Sequence, residues 1–448
     1  MAEPTIETPP TVALTDHHSD VVCMGCGCLC DDLSTQQRSD SSSDSADPGM
    51  LTILPACSLA HEWFAGLMAE DGPACLVRGR PVSIEEGTAA VRAILATAKR
   101  PLIAGLSNTS VEAQREAVHL AERWRGVLMG HASPVAARVH RAAQAAGLVT
   151  STLGEVRQRA DVVVLWNADP VVTHPRHFER YSLHPKGRFV PRGRKDRQLI
   201  WIGSTPCASS ELADIKVIFA PGRDVEALSV LQGILNGVEL DEKMVLRQTG
   251  VSPDVWRDLS TTLRQARYGA VFYDPNLSPE SAIHAEHDAR ALMQWVTLLN
   301  ETTSFVFHAL TEGGNGSGLE QVVAWTTGRS GILDFGSGVP TVLTDVDSAQ
   351  DLISRRSVDA ALFVSSDPLR EWEPAEWRRL GFIPTVVLSN SSTATSSSAT
   401  VWFRTAPLSY AAGGTVFRSD GVALRVRPIT SSALPSDEEI LRRLVCLA

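Results

Sequence analysis

Val162-Val-Val-Leu-Trp-Asn-Ala-Asp-Pro170 is the stretch whose reading decides the fold. Five apolar residues, three of them β-branched, run without a polar break and stop at a small polar residue followed by Asp-Pro. A short continuous apolar run of this kind is a strand buried on both faces, as in a parallel sheet. The same design returns as Ala360-Ala-Leu-Phe-Val-Ser-Ser-Asp-Pro368. In an open parallel sheet, ligands bind in the crevice beyond the carboxyl ends of the strands, where both stretches end. Asp-Pro is also a common turn starter, and that plainer reading holds for either site taken alone.

Strand and helix alternate outward from these two points. Pro101–Leu106 reads as a buried strand. It leads through a polar turn into Val111–Trp124, where Ala113, Ala117, Leu120, Ala121 and Trp124 recur at helical spacing behind Ser110 as N-cap. Gly126–Gly130 is a further strand, with a helix near Val135–Ala146. Gln198–Gly203, Ile215–Ala220, Gly269–Asp274, Ser304–Leu310 and Pro384–Ser389 are additional strands, and a helix is expected over Pro279–Leu299. The pattern predicts an α/β fold with two Rossmann-like parallel-sheet regions behind a small N-terminal cysteine-bearing module. The expected division is a disordered lead-in over 1–20, the cysteine module over 21–75, a first α/β region over 76–222, and a second over 223–448 with the C-terminal tail.

Charge and length narrow the function. The chain has 448 residues and a net charge of −10, against bulk-charge binding of nucleic acid. No apolar stretch reaches the roughly 18 residues of a membrane helix, and no secretory signal opens the chain, so a cytoplasmic location is expected. Lys186–Arg197 runs against the overall charge, with six cations and only Asp196 opposing. It reads as a solvated loop or as a face packed on a partner.

Cysteine usage carries the sharpest chemistry. Cys23, Cys26, Cys28 and Cys30 fall within eight residues, and Cys57 follows at a distance. Clustered thiols point to metal or redox chemistry rather than a disulfide framework. Cys23, Cys26, Cys30 and Cys57 have the spacing of a [4Fe–4S] site, with a four-thiolate zinc site as the alternative. Asp169-Pro-Val-Val-Thr-His174-Pro-Arg176-His177 places two imidazoles and a guanidinium just past a buried strand, either to orient an anionic ligand or to pack the loop. Thr311–Gly318 is rich in glycine and could cradle phosphate, but it matches neither the P-loop nor the dinucleotide fingerprint. No Gly-x-Ser-x-Gly elbow and no His-Glu-x-x-His occurs.

Several segments together resemble the B subunit of formylmethanofuran dehydrogenase, in the molybdopterin oxidoreductase superfamily. They are Val21–Leu33, Ala56–Phe64, Ser110–Glu122, Thr152–Ser182, Gly313–Gly328 and Gly413–Val422. The resemblance implies a [4Fe–4S] cluster on Cys23, Cys26, Cys30 and Cys57, and a bis-pterin-bound tungsten or molybdenum. It also implies that a separate subunit carries the C-terminal barrel of single-chain relatives. Members that bind the metal place a Cys or selenocysteine before a His; here the pair is Gly130-His131. Glycine offers no ligand, so tungsto- or molybdopterin is expected to be absent. That departure resembles the B subunit of the bacterial formyltransferase/hydrolase complex, which acts on formyl-tetrahydromethanopterin and formylmethanofuran in one-carbon oxidation. The implied role is a non-redox scaffold held with A, C and D subunits. Gly130, His131, Asp169, His174, Arg176 and His177 would line a vestigial pterin cavity. An active tungsto- or molybdopterin subunit is the alternative. A free-standing iron–sulfur carrier would need far less chain.

Overall fold

The computed structural model describes residues 16–37, 51–67, 72–130, 134–274, 279–311, 313–344, 346, 348–370, 372 and 378–446. The cysteine module is a three-stranded antiparallel sheet of β1 (Asp16–Val21), β2 (Leu33–Gln37) and β3 (Leu51–Leu54). β1 begins inside the expected lead-in and pairs His17 with Gln36 and His18 with Thr35, so ordered structure starts before residue 21. Backbone pairing holds this strand, and composition gives no signal of that. Residues 1–15 and the Ser/Asp tract from residue 38 lie outside the described residues.

Next come β4 (Cys75–Val77), β5 (Arg80–Pro81), β6 (Pro101–Gly105) and β7 (Val127–Met129). Then follow β8 (Val162–Trp166), β9 (Gln198–Gly203), β10 (Ile215–Ile218), β11 (Gly269–Tyr273) and β12 (Phe305–Ala309). The chain continues with β13 (Leu333–Asp334), β14 (Thr341–Val342), β15 (Ala360–Val364), β16 (Thr385–Ser389), β17 (Val401–Arg404), β18 (Gly414–Phe417) and β19 (Ala423–Val426).

Two parallel cores form, as the strand patterns predict. One sheet has the order β10-β9-β8-β11-β12 and is parallel throughout. The other has nine strands in the order β14-β13-β7-β6-β15-β16-β17-β4-β5, with a parallel centre from β7 to β17. The expected boundary at 222/223 is corrected by this topology. It falls between β10 and β11, inside the five-stranded sheet, and that whole sheet is inserted between β7 and β13 of the nine-stranded one. Strand spacing along the chain cannot reveal the insertion, because β6 pairs with β15 across more than 250 residues.

Each strand of the five-stranded sheet sends alternate residues to opposite faces. Val162, Val164 and Trp166 join Val271, Tyr273, Trp256 and Trp295 in a helix-covered core. Val163 and Leu165 join Ala270, Phe272, Phe178 and the buried cysteines. The cysteine module is therefore seated on one face of this sheet by ordinary apolar burial, worth about 25 cal/mol per Å². The helix Val111–Arg123 forms where expected, and the Ser110 hydroxyl accepts the Ala113 N–H at 3.2 Å. Pro279–Leu299 is helical throughout.

Candidate functional site

The cysteine loop joins β1 to β2. The Cys23 N–H donates to the Cys30 carbonyl at 2.8 Å and the Leu29 N–H to Cys26 at 3.1 Å, so the loop closes on itself. Gly25 and Gly27 are required by close approach. A Cβ on Gly25 would meet the Leu59 carbonyl, and one on Gly27 would meet Thr311. Cys57 stands at the N-cap of the helix Ser58–Ala65. Cys23, Cys26, Cys30 and Cys57 line one enclosed cavity with Leu33, Pro55, Leu59, Ala60 and Arg176. Cys28 is not in that lining; it is buried beside Cys26.

Burial pushes the Cys23 thiol up to about 12, and the neighbouring thiols add to the shift. Burial also pushes Cys30 up to about 11, opposed by the Arg180 and Arg176 guanidinium groups. Thiols so placed are inert when free; a coordinated metal is what makes them thiolates. The buried Arg180 Nη1 ion-pairs with the Asp32 carboxylate at 3.3 Å, and the Arg180 side chain also hydrogen-bonds the Cys30 thiol. Arg180 is also the largest influence favouring the Cys30 thiolate. Arg176 in the lining of the thiol cavity and Arg180 against Cys30 supply positive charge that suits an anionic iron–sulfur cluster. Among the described residues, no group of three or more His, Cys, Asp or Glu side chains is arranged to hold a metal ion.

Arg176 has the carboxylate partner that the sequence around it does not show. Its Nη1 and Nη2 donate to the two oxygens of Asp32 at 2.8 Å each, and Nη2 also reaches Glu179 at 3.1 Å. Arg180 Nη2 donates to Asp31 at 2.8 Å. Burial alone would raise the Asp32 carboxyl, but Arg176 and Arg180 outweigh it and hold it below the usual range. The Asp31-Asp32 pair directly after Cys30, set against Arg176 and Arg180 four residues apart, was the available signal.

The histidines are equally built in. His174 Nε2 lies 2.9 Å from the Thr311 carbonyl, which only accepts, so Nε2 carries the proton. Burial pushes His174 down to about 4. His177 Nδ1 lies 3.0 Å from the Ser182 hydroxyl, and its ring meets Phe272 edge-on at 4.5 Å. His308, at the end of β12, stacks on the same Phe272 ring at 5.3 Å and is pushed down to about 4 by burial. Sequence reasoning missed His308, since a single histidine inside an apolar strand gives no pattern.

The remaining expected site residues do not share a cavity lining with these. The Asp169 carboxylate accepts the Ser209 N–H at 3.0 Å, the Ser209 hydroxyl at 2.5 Å and the Ala208 N–H at 3.3 Å, so it is turned into the fold. Gly130 lies under the helix Gly316–Thr327, and a Cβ there would overlap the Leu319 Cδ2. His131 lies outside the described residues. In the glycine-rich loop, Gly314 N–H donates to Met24 at 2.8 Å and Asn315 N–H to Ser107, so these two amides are engaged within the fold and not turned to a phosphate. Its amides tie the cysteine module to the nine-stranded sheet. A concavity of about 580 Å³ opens at the switch in strand order, at the carboxyl ends of β6 and β15, lined by Gly105, Ser365, Ser366, Asp367, Pro368 and Asn390 among others.

The chain is 31% identical over 438 residues to the B subunit of tungsten-containing formylmethanofuran dehydrogenase 2 of Methanocaldococcus jannaschii, covering 95% of this chain and 97% of that one. The chain belongs to the family of formylmethanofuran dehydrogenase B subunits. The Methanococcus maripaludis protein of the same name is 29% identical, with 95% and 97% covered. The B subunit of the Fhc formyltransferase/hydrolase complex of Methylorubrum extorquens is 27% identical over 66% of this chain and 75% of that one. No protein-family model matches. By fold, the family member resembles a chain of the FhcABCD complex of Methylorubrum extorquens, crystallised with methylofuran. The TM-score is 0.67 at 23% identity, over 84% of this chain and 98% of that one. It also resembles acetylene hydratase from Pelobacter acetylenicus, with TM-score 0.66 at 12% identity, over 96% of this chain and 69% of that one. The α/β class, with its cysteine module and two parallel-sheet regions, agrees with both. Among the described residues no helix is long and apolar enough to cross a membrane.

Proposed function

We propose that this member of the B-subunit family is a non-redox, structural component of a cytoplasmic formyltransferase/hydrolase complex, working with A, C and D subunits on formyl-tetrahydromethanopterin and a formylmethanofuran-type carrier. The observation that carries the reading is Gly130 under Leu319. The position that would project a metal-ligating side chain has none, and a leucine from another helix fills the space beside it. The Leu319 side chain occupies the space that a Cβ at position 130 would take.

Cys23, Cys26, Cys30 and Cys57 would hold a [4Fe–4S] cluster, which supplies one-electron storage when bound. Arg176 and Arg180 neutralise part of its charge while held in place by their pairing with Asp32 and Asp31. In this reading the cluster ties the cysteine module to the sheet face beneath it, and the chain's own residues hold subunits in register.

A second reading, an active tungsto- or molybdopterin subunit, draws support from the two tungsten-containing relatives and from the concavity beyond β6 and β15. Metal analysis of the purified complex separates them. The expected result is about four irons per chain with matching sulfide, no tungsten or molybdenum, and formate released from the formyl carrier without an electron acceptor. Tungsten or molybdenum near one atom per chain would overturn the proposal.

A further inference from the structure

The loop Lys186–Arg197 is longer than the fold requires. Asp169 reaches its Ser209 partner across 40 residues, whereas Asp367 makes the same contact to Thr395 across 28. The second sheet completes the equivalent connection with a shorter segment, in which Arg370, Arg378 and Arg379 are matched by Glu371, Glu373 and Glu376.

This loop is rigid by construction. Gly187 N–H and Val190 N–H each donate to the other's carbonyl at 3.2 Å, and Phe189 N–H donates to Gln158 at 3.0 Å. Arg197, buried, donates to the Ala160 and Arg157 carbonyls at 3.0 and 2.6 Å and so caps the end of the helix Leu153–Arg159. Its charge is spent on the fold.

The outer cations differ. The carboxylates in this region are committed: Asp196 to Arg192, Asp214 to Arg194 and Asp161 to Arg267. Lys186, Arg188 and Lys195 are exposed, and none has an ion-pair partner among the described residues. Phe189 stands 51% exposed between the Arg188 and Arg159 guanidinium groups, each within 6 Å of its ring. A concavity of about 650 Å³ at the amino-terminal edge of β8 and β9 adjoins Lys195, at the end of the sheet opposite the Asp169 turn. Arg159 is ion-paired with Glu155, which leaves Arg188 as the unpaired cation at the ring; a half-exposed aromatic ring on a loop with Lys186, Arg188 and Lys195 has the composition of a protein interface anchor with a charged rim.

We infer that Lys186–Arg197 is a docking platform for an acidic face of another subunit of the complex, Phe189 being its anchor and Lys186, Arg188 and Lys195 its steering charges. The inference rests on the reading that this chain works inside a multi-subunit complex. Charge complementarity commits it to a carboxylate-rich protein partner: a net −10 chain carries this patch against its own field.

The test uses the co-expressed complex with K186E/R188E/K195E and, separately, F189A. All four positions are exposed and outside the cysteine site. Both variants should keep the wild-type circular dichroism and melting temperature. The charge-reversed variant should bind its companion subunits at least about tenfold more weakly, and F189A should also weaken binding. Rising salt should weaken wild-type assembly while barely affecting the reversed variant. Wild-type assembly with unchanged salt dependence in K186E/R188E/K195E overturns the platform and leaves the complex reading standing. A wild-type chain that fails to assemble at all overturns both. Duplex DNA binding by the wild-type complex, lost in the variant while assembly persists, assigns the patch to nucleic acid and also overturns it.

Discussion

The two Asp-Pro turns are the same device built twice and put to different use. In each, the residue after the strand has a left-handed backbone, Asn167 at φ 41° and Ser365 at φ 48°. Each donates its N–H to the neighbouring strand at 2.8 Å, to Ile202 and Leu388 respectively. Each side chain donates to the first residue of a later helix, Asn167 to Asp224 and Ser365 to Asp437, both at 2.6 Å. Each Asp then holds a short capped turn one strand further on, Asp169 at Ser209 and Asp367 at Thr395. The first turn is sealed, with Trp201 Nε1 donating to the Ala168 carbonyl at 3.1 Å. The second borders the concavity of about 580 Å³. The wiring therefore belongs to the fold, and only what packs over it decides whether a crevice stays open. An aspartate at the end of a buried strand marks the turn, not a catalytic group.

Unequal burial should make the two aspartates unequal. D169A removes a charged acceptor with three donors at a buried position and should cost about 3 kcal/mol in chemical denaturation. D367A, half-exposed beside the crevice, should cost about half as much. Equal losses would break the comparison.

Gly130 lies at the end of β7, in the open half. G130A should cost about 2 kcal/mol through overlap with Leu319, and L319A in the same chain should recover part of that loss. Additive losses in the double variant would show that the two positions do not share space.

The buried histidines gather on the sealed half, around Phe272. His308 is depressed to about 4, so below about pH 6.5 the unfolded chain takes up a proton that the folded chain refuses. That contribution to stability is complete above pH 6.5 and is lost as pH falls toward 4. H308Q should gain on the wild type by about 1.4 kcal/mol per pH unit across this window. A stability difference that is flat with pH would remove the histidine from the account.

The smallest effect belongs to Ser366, the counterpart of Ala168. Its hydroxyl has no hydrogen-bond partner among the described residues. S366A, which makes the second turn more like the first, should change stability by no more than about 0.5 kcal/mol. A loss above about 1 kcal/mol would reveal a partner for that hydroxyl in the crevice.

Much of this was legible in the chain. Local patterns are read by neighbours within a few residues: the apolar runs of β8 and β15, the helix over Val111–Arg123 and the clustered thiols all declare themselves that way. Gly130 likewise states its missing ligand in its own letter. What pairs across long separations was not legible. The insertion of one sheet into the other depends on β6 finding β15. Arg176 finds Asp32 across 144 residues, and Leu319 comes to lie over Gly130 from a distant helix. The amino-acid order by itself determined which segments become strands, which thiols cluster and which side chain is lacking. Tertiary packing alone decided that Asp169 faces inward, that the space beside Gly130 is filled and that one of two like turns stays open. Those outcomes depend on burial and close contact between remote residues, which local periodicity does not encode.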